Sequence, residues 1–551
     1  MPISQLTKVM PKSAVTAAAS APRALTNTII ETVNQITSAT TAKDDPSIAR
    51  IEVHDTVSNV AWAYERLRNA IDYQDEHLLR KNAIERMLRR RLVSGATATQ
   101  IAEPLILELI RGRYLPNNSL PTTIISQASD IINTYILLWI QVPKRGSADD
   151  NRKLQNFWYG LMSVELNELF APSTADEAIV NLAHQILNRD IGVSSEEMTR
   201  EEKDIQIYIA AHRALLKSDQ NMIRYHLFVR QWPQWQQADE QIVSELAAAF
   251  PEIRDVIESQ IFHRSGEVLQ RVVKQSAAIF WIFRDLIDLY GTDANTKLQN
   301  ELQTMADATA AYTERRKSVS MKVARTTIRS IIYVFLTKML LALLVELPLD
   351  KLVAGGDVSL RPLFLNVTVP PLILILLGVT NRLPGEKNLE ELKTKLGGLL
   401  YRTDEKNALV QPRKPIRPNT LFTYFFRLFY AAVSLSVFGL LVWGLSALHF
   451  SVISMFIFLL FLTIVSFFGI RVRLLAKELQ VTNQRDNIFS ILFDFLTVPI
   501  LQVGRWIALR APRVNVLIFF FDVIVETPFK AFLETTEGFF GFLREKREEI
   551  Y

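Results

Sequence analysis

Apolar residues are spread along this chain in two different ways. In residues 1–320 they recur at the three-and-four spacing of helices that bury one face, with little sign of the strict alternation that marks strands. Residues 328–544 hold nearly all the long apolar runs. Two of these, Leu428–Ala447 and Ser451–Ile470, contain no charged residue and have the roughly 20 apolar positions that a helix needs to cross a bilayer core about 30 Å thick. Residues 448–450 separate them, so they read as a transmembrane hairpin. Residues 330–347 carry Lys338 and Glu346, and residues 363–380 carry Asn366 and the pair Pro370-Pro371; both read as spans despite these polar positions.

Basic residues near span ends tend to stay on the cytoplasmic side. Arg315, Arg316, Lys317, Lys322, Arg325 and Arg329 precede the first span, and Arg471, Arg473 and Lys477 follow the fourth. A further basic stretch, from Arg382 to Arg417, lies between the second and third spans. Four spans with both termini inside satisfy every flank. Residues 471–551 contain two more apolar stretches, Ile488–Leu509 and Val514–Leu533, each with an Asp and a Pro. A fifth and sixth span there would put Arg505, Arg510 and Arg513 outside, so amphipathic helices in the cytoplasmic interface are the expected form, with six spans as the alternative.

The expected fold class is therefore all-α, with an N-terminal cytoplasmic helical bundle or solenoid, a transmembrane region and interfacial C-terminal helices. Residues 1–48, rich in Ala, Ser and Thr and interrupted by Pro2, Pro11 and Pro22, read as a disordered tail or a mitochondrial presequence. Residues 49–292 form the helical domain, with breaks expected near Gly95, Pro116, Pro143, Gly192, Pro233, Pro251 and Gly291. Three capping boxes are expected, Thr174 with Glu177, Ser194 with Glu197 and Thr199 with Glu202. Residues 293–329 have no proline or glycine and extend into the first span as one connecting helix. Leu298, Leu302, Met305, Thr309 and Tyr312 mark a short seam on it, for packing within the chain or for a homo-oligomer.

Candidate chemistry changes this picture little. The chain lacks cysteine, which excludes disulfides, thiolate nucleophiles and Cys-type metal sites. That composition suits the inner membrane of a bacterium, with the mitochondrial inner membrane as the alternative. No phosphate-binding, dinucleotide-binding or hydrolase motif is present, and the seven histidines do not fall at metal-ligand spacing, so neither an enzyme nor a bound cofactor or metal is expected. Arg80, Lys81, Arg86, Arg89, Arg90 and Arg91 form a basic helical stretch that could meet anionic lipid headgroups or phosphate, or else face nearby carboxylates. A net charge of +5 over 551 residues gives no strong nucleic-acid signal.

An ionisable residue at membrane depth is costly and commonly lines a functional path. Lys338, Glu346 and Asn366 are accordingly the candidate intramembrane polar site, although eight α-helical residues at 100° each leave Glu346 about 80° around the helix from Lys338. The expected partners are the bilayer, with anionic lipids at its cytoplasmic face, and an unidentified protein. A membrane-anchored helical scaffold is the leading expectation, and a subunit of an ion channel or small-solute transporter the alternative.

Overall fold

The computed structural model describes residues 23–41, 49–53, 65, 75–144, 146–192, 198–349, 360–380, 383–401, 420–481 and 488–510. Among these the chain is all-helical, and its one β-type contact is an isolated bridge between Arg50 and Pro121. The second C-terminal candidate, Val514–Leu533, and the residues after it lie outside the described residues, as do Ser194 with Glu197 and most of residues 1–48. The chain divides into two compact units, one over Asn27–Lys274 and one beginning at Gln275, with residues 23–26 belonging to the second. The boundary thus falls ahead of the one expected at residue 292.

The first unit contains α1 (Asn27–Thr41), α2 (Glu76–Val93), α3 (Ala98–Arg111), α4 (Ile124–Gln141), α5 (Ala148–Phe170), α6 (Thr174–Asp190), α7 (Arg200–Ala211), α8 (Gln220–Gln231), α9 (Glu240–Ile261) and α10 (Gly266–Lys274). The expected tail is corrected at α1. Ile29, Val33 and Ile36, spaced four and three apart, share one face and are fully buried, and α1 packs on α6. Average composition concealed that stripe.

Helix α5 is the centre of this unit, because every residue from Phe157 to Val164 is buried and a helix covered all round must be internal. Around it the polar atoms of large aromatic residues find partners. Trp158 Nε1 donates to the Tyr135 carbonyl at 2.9 Å, while the Tyr135 hydroxyl and Trp235 Nε1 both donate to Glu165 at 2.7 and 2.8 Å. Burial still raises the Glu165 carboxyl above its ordinary range, against the pull of those two donors. The Thr199–Glu202 capping box forms as expected, with Glu202 N–H donating to Thr199 Oγ1 at 3.1 Å. Helix α9 continues through Pro251, where a break was expected. Burial of Phe250, Ile253 and Ile257 outweighs the roughly 3 kcal/mol that an interior proline costs.

The second unit contains α11 (Ala277–Tyr290), α12 (Glu301–Leu341, extended by a π-helical turn Ala342–Glu346), α13 (Leu360–Thr380), α14 (Glu386–Leu400), α15 (Thr420–Ala447), α16 (Val452–Ala476) and α17 (Ile488–Arg510). Among the described residues, three helical stretches are long and apolar enough to cross a membrane: Glu301–Leu349, Tyr424–Ala447 and Val452–Ala476. Phe364–Leu376 and Phe495–Ile507 are shorter apolar segments. The 41 residues of α12 extend about 60 Å at 1.5 Å per residue, twice a bilayer core, so a large part of this helix stands clear of any apolar layer.

The connecting helix does not run unbroken from residue 293. It restarts at Glu301, where the Asn300 side chain caps the Gln303 N–H. The predicted seam is buried only at its ends, Leu298 and Tyr312. Leu302 is 56% exposed and Met305 and Thr309 are half-buried, whereas Thr304, Ala308 and Ala311 join Tyr312 on the face turned to α11 and α14. Small residues there let the helices approach closely, and Arg315 fastens α12 to α11 through a two-pronged pair with Asp285 at 2.7 and 2.8 Å.

Asn388 ties this region together. Its Nδ2 donates to the Leu479 carbonyl at 2.8 Å and to the Tyr312 hydroxyl at 3.1 Å, and its Oδ1 accepts from Val481 N–H at 2.7 Å. One buried side chain thus joins α12, α14 and the segment after α16. Asn388→Ala is expected to lower unfolding stability by about 2–3 kcal/mol, because it strands a buried backbone donor and acceptor. Denaturant unfolding in detergent, compared with Asn388→Asp and wild type, measures the loss.

Helix α17 packs along α16. A Cβ on Gly504 would run into the Thr463 carbonyl oxygen, so only glycine permits this approach. Thr463 is near the middle of α16, far from its basic end at Arg471–Lys477.

Candidate functional site

Lys338, Glu346 and Asn366 converge, and each is fully buried in the second unit. Lys338 Nζ lies 3.7 Å from Glu346 Oε2. The π-helical turn explains how they meet. It takes in one extra residue, so eight residues complete two turns as seven do in an α-helix, and the offset falls from about 80° to about 20°. Nothing in the apolar spacing announced that turn.

The other carboxylate oxygen, Glu346 Oε1, accepts from both Asn366 Nδ2 and the Ser454 hydroxyl, which makes Ser454 a fourth member that the sequence reading missed. Asn366 Nδ2 also reaches the Ser454 carbonyl at 3.5 Å. Lys338 Nζ sits 4.8 Å from the centre of the Phe461 ring, a cation over an aromatic face. Three helices, α12, α13 and α16, therefore contribute. Lys338 Nζ, Glu346 Oε2 and Asn366 Oδ1 have no hydrogen-bond partner among the described residues. Pro370, four residues after Asn366, also has no N–H to offer the Asn366 carbonyl, although α13 continues through both prolines. Leu445, Phe450, Phe458 and Leu462 form an apolar core beside the cluster.

The basic stretch on α2 has a different character. Arg80 donates to Asn167 Oδ1 at 2.8 Å, and Lys81, 1% exposed, pairs with Asp219 at 2.6 Å. Arg86 grips Glu65 at 2.9 Å. Arg89 pairs with Glu85 at 2.7 Å and lies over the Tyr159 ring, while Arg90 and Arg91 share Glu108 at 2.7 and 2.8 Å. All six cations are engaged by side chains of their own unit. Most of the partner carboxylates are distant in sequence, so the neighbours of the stretch could not identify them.

Histidines that are unremarkable by spacing also meet in the first unit. His226 Nε2 is 3.3 Å from Glu177 Oε1, and His212 Nε2 is 3.6 Å from Glu177 Oε2. The two imidazoles stack with centroids 4.7 Å apart. Glu177 is consequently not the capping residue it was expected to be. Ser173 is the N-cap of α6, and its hydroxyl donates to Glu168 at 2.6 Å instead. Burial sets the protonation of this group. It pushes the Glu177 carboxyl up to about 8, the His226 ring down to about 4 and the His212 ring well below its ordinary value. Both rings are thus neutral near pH 7.

No protein family, curated protein or solved structure matches this chain.

Proposed function

We propose that this chain is a multi-pass membrane protein that moves protons, or couples their movement to a solute, through the Lys338–Glu346 pair, as a channel or transporter subunit. The observation that carries this reading is the full burial of that pair among apolar helices, with Asn366 and Ser454 holding only one of the two carboxylate oxygens. A proton passing from Lys338 to Glu346 turns an ion pair into a neutral pair without changing the net charge of the cluster; uptake of a proton by Glu346 or its release from Lys338 is what changes that charge, so the pair can hold and pass on one proton. The cluster extends from Ser454 to Phe461 along α16, about 10 Å of helix rise, a useful fraction of a bilayer core.

In this proposal the four expected segments cross the cytoplasmic membrane of a bacterium, with the basic flanks and Asn27–Lys274 inside. The contact of Gly504 with Thr463 supports placing α17 in the bilayer beside them, as in the six-span alternative. More spans leave more room for a path. The helical unit would then regulate or recruit. A purely scaffolding role is the second reading, favoured by the size of that unit and by anionic lipid as its expected neighbour.

Proteoliposomes with an enclosed pH-sensitive dye test the proposal. Wild type is expected to dissipate an imposed proton gradient, and Lys338→Met/Glu346→Gln to fold and insert without doing so. Equal flux in both would sink the transport reading. Flux absent from both, with loss of a cellular phenotype on deleting residues 27–274, would leave the scaffold.

A further inference from the structure

We propose that Glu177, His212 and His226 bind a divalent transition metal ion, with Zn²⁺ the best fit. The three come from three consecutive elements of the first unit: Glu177 from the first turn of α6, His212 from the π-helical turn His212–Leu216 that ends α7, and His226 from α8. The inference does not depend on the transport reading.

The spacing of the ligand atoms is the first ground. Zinc bonds of about 2.0–2.1 Å at tetrahedral angles hold neighbouring ligand atoms about 3.3 Å apart. The carboxylate oxygens here lie 3.3 and 3.6 Å from the two imidazole nitrogens, and one ligand atom from each of the three residues falls within 4.8 Å of the others. Small side-chain rotations would complete the triangle without moving a helix.

The second ground is that these atoms have nothing else to do. Glu177 Oε1, His212 Nε2 and His226 Nε2 are buried and have no hydrogen-bond partner among the described residues. His212 is entirely buried, and the His226 side chain is 10% exposed. Three unpartnered polar atoms converging on one point are expensive unless something joins them.

The surroundings orient these atoms as a metal requires. His212 Nδ1 faces Ser218 Oγ at 3.3 Å; with the proton on Nδ1 donated to that hydroxyl, the Nε2 lone pair points toward Glu177. Tyr208 donates its hydroxyl to Glu177, and its ring stands edge-on to His212 at 4.6 Å. The π-helical turn is what aims His212 inward, in keeping with the frequent placement of such turns at functional sites. Two imidazoles and one carboxylate are the donor set of zinc hydrolases, and three protein ligands leave a fourth position for water. The carboxyl proton that burial favours would leave as the metal enters.

Metal analysis of the full chain, purified without an affinity tag and treated with chelator, supplies the test. With no cysteine and seven histidines, the chain has little background for Zn²⁺ or Co²⁺. Addition of Zn²⁺ followed by gel filtration is expected to leave about one equivalent bound. Co²⁺ is expected to give the intense visible absorption of a tetrahedral site. His226→Gln and Glu177→Gln should each lose that equivalent in the folded fraction, His184→Ala should keep it, and Tyr208→Phe should weaken affinity about tenfold to a hundredfold. Wild type that retains no metal, or folded His226→Gln that retains as much as wild type, overturns the site and leaves a buried carboxyl–imidazole group without an ion.

Discussion

Replacing Lys338 with methionine is expected to lower the unfolding free energy of the chain in detergent by about 3–5 kcal/mol, the usual result of removing one member of a buried ion pair. Methionine has nearly the volume of lysine, so cavity formation contributes little. The loss comes from Glu346, whose carboxylate is completely buried and would keep Asn366 and Ser454 but no cation. Glu346→Gln is expected to cost a similar amount, because Lys338 then faces an uncharged amide. The double variant should return to within about 1 kcal/mol of wild type, since it removes both charges together and the glutamine oxygen still accepts from Asn366 and Ser454. Denaturant titrations of the four proteins close a thermodynamic cycle whose coupling term measures the pair directly. If the losses simply add, Lys338 and Glu346 do not act as a pair, and the proton-transfer reading has no basis. The recovered double variant is also what makes the flux experiment interpretable, because it separates loss of transport from loss of fold.

The broad architecture was legible because helical burial follows a local period. The uncharged runs Leu428–Ala447 and Ser451–Ile470 coincide with two of the three helices that, among the described residues, are long and apolar enough to span, and the breaks near Gly95, Pro143 and Gly291 fall where helices end. Composition averaged over forty residues misled at α1, where three buried aliphatic positions decide the outcome and the Ala, Ser and Thr between them do not. The polar cluster was half legible. Charged residues within an apolar run flagged Lys338 and Glu346, but their pairing depends on a π-helical turn, and Ser454 belongs to a different helix. The histidine group was not legible at all. His212 and His226 are fourteen positions apart, and Glu177 stood in what looked like a capping box; only packing of α6, α7 and α8 brings them together. For the basic stretch the carboxylate-facing alternative is the one the structure shows, but the partners Asp219, Glu65 and Glu108 lie too far away in sequence to be named from it.

Introducing any side chain at residue 504 is expected to force α17 away from α16. For Gly504→Ala the new methyl group would run into the Thr463 carbonyl oxygen and would lie 2.9 Å from Phe467 Cβ, both far inside contact distance. Backbone on one side and the root of a side chain on the other leave no flexible group to yield. The cost should reach or exceed the roughly 1–3 kcal/mol typical of overpacking, and Gly504→Val should cost more than Gly504→Ala. The same variants address topology. Because the chain has no native cysteine, one placed at Trp506 can be probed with a membrane-impermeant maleimide from each side of sealed vesicles. A helix buried beside the middle of α16 should label slowly from both sides in the Gly504 background, and faster from one side once Gly504→Val has separated the pair. Rapid cytoplasmic labelling in both backgrounds would return α17 to the interface and reduce the bilayer segment to the four spans that the basic flanks require. Slow labelling that the valine relieves would mean that α17 is part of the apolar bundle, whose wall around Lys338 and Glu346 then includes Ile500, packed against the core beside the cluster.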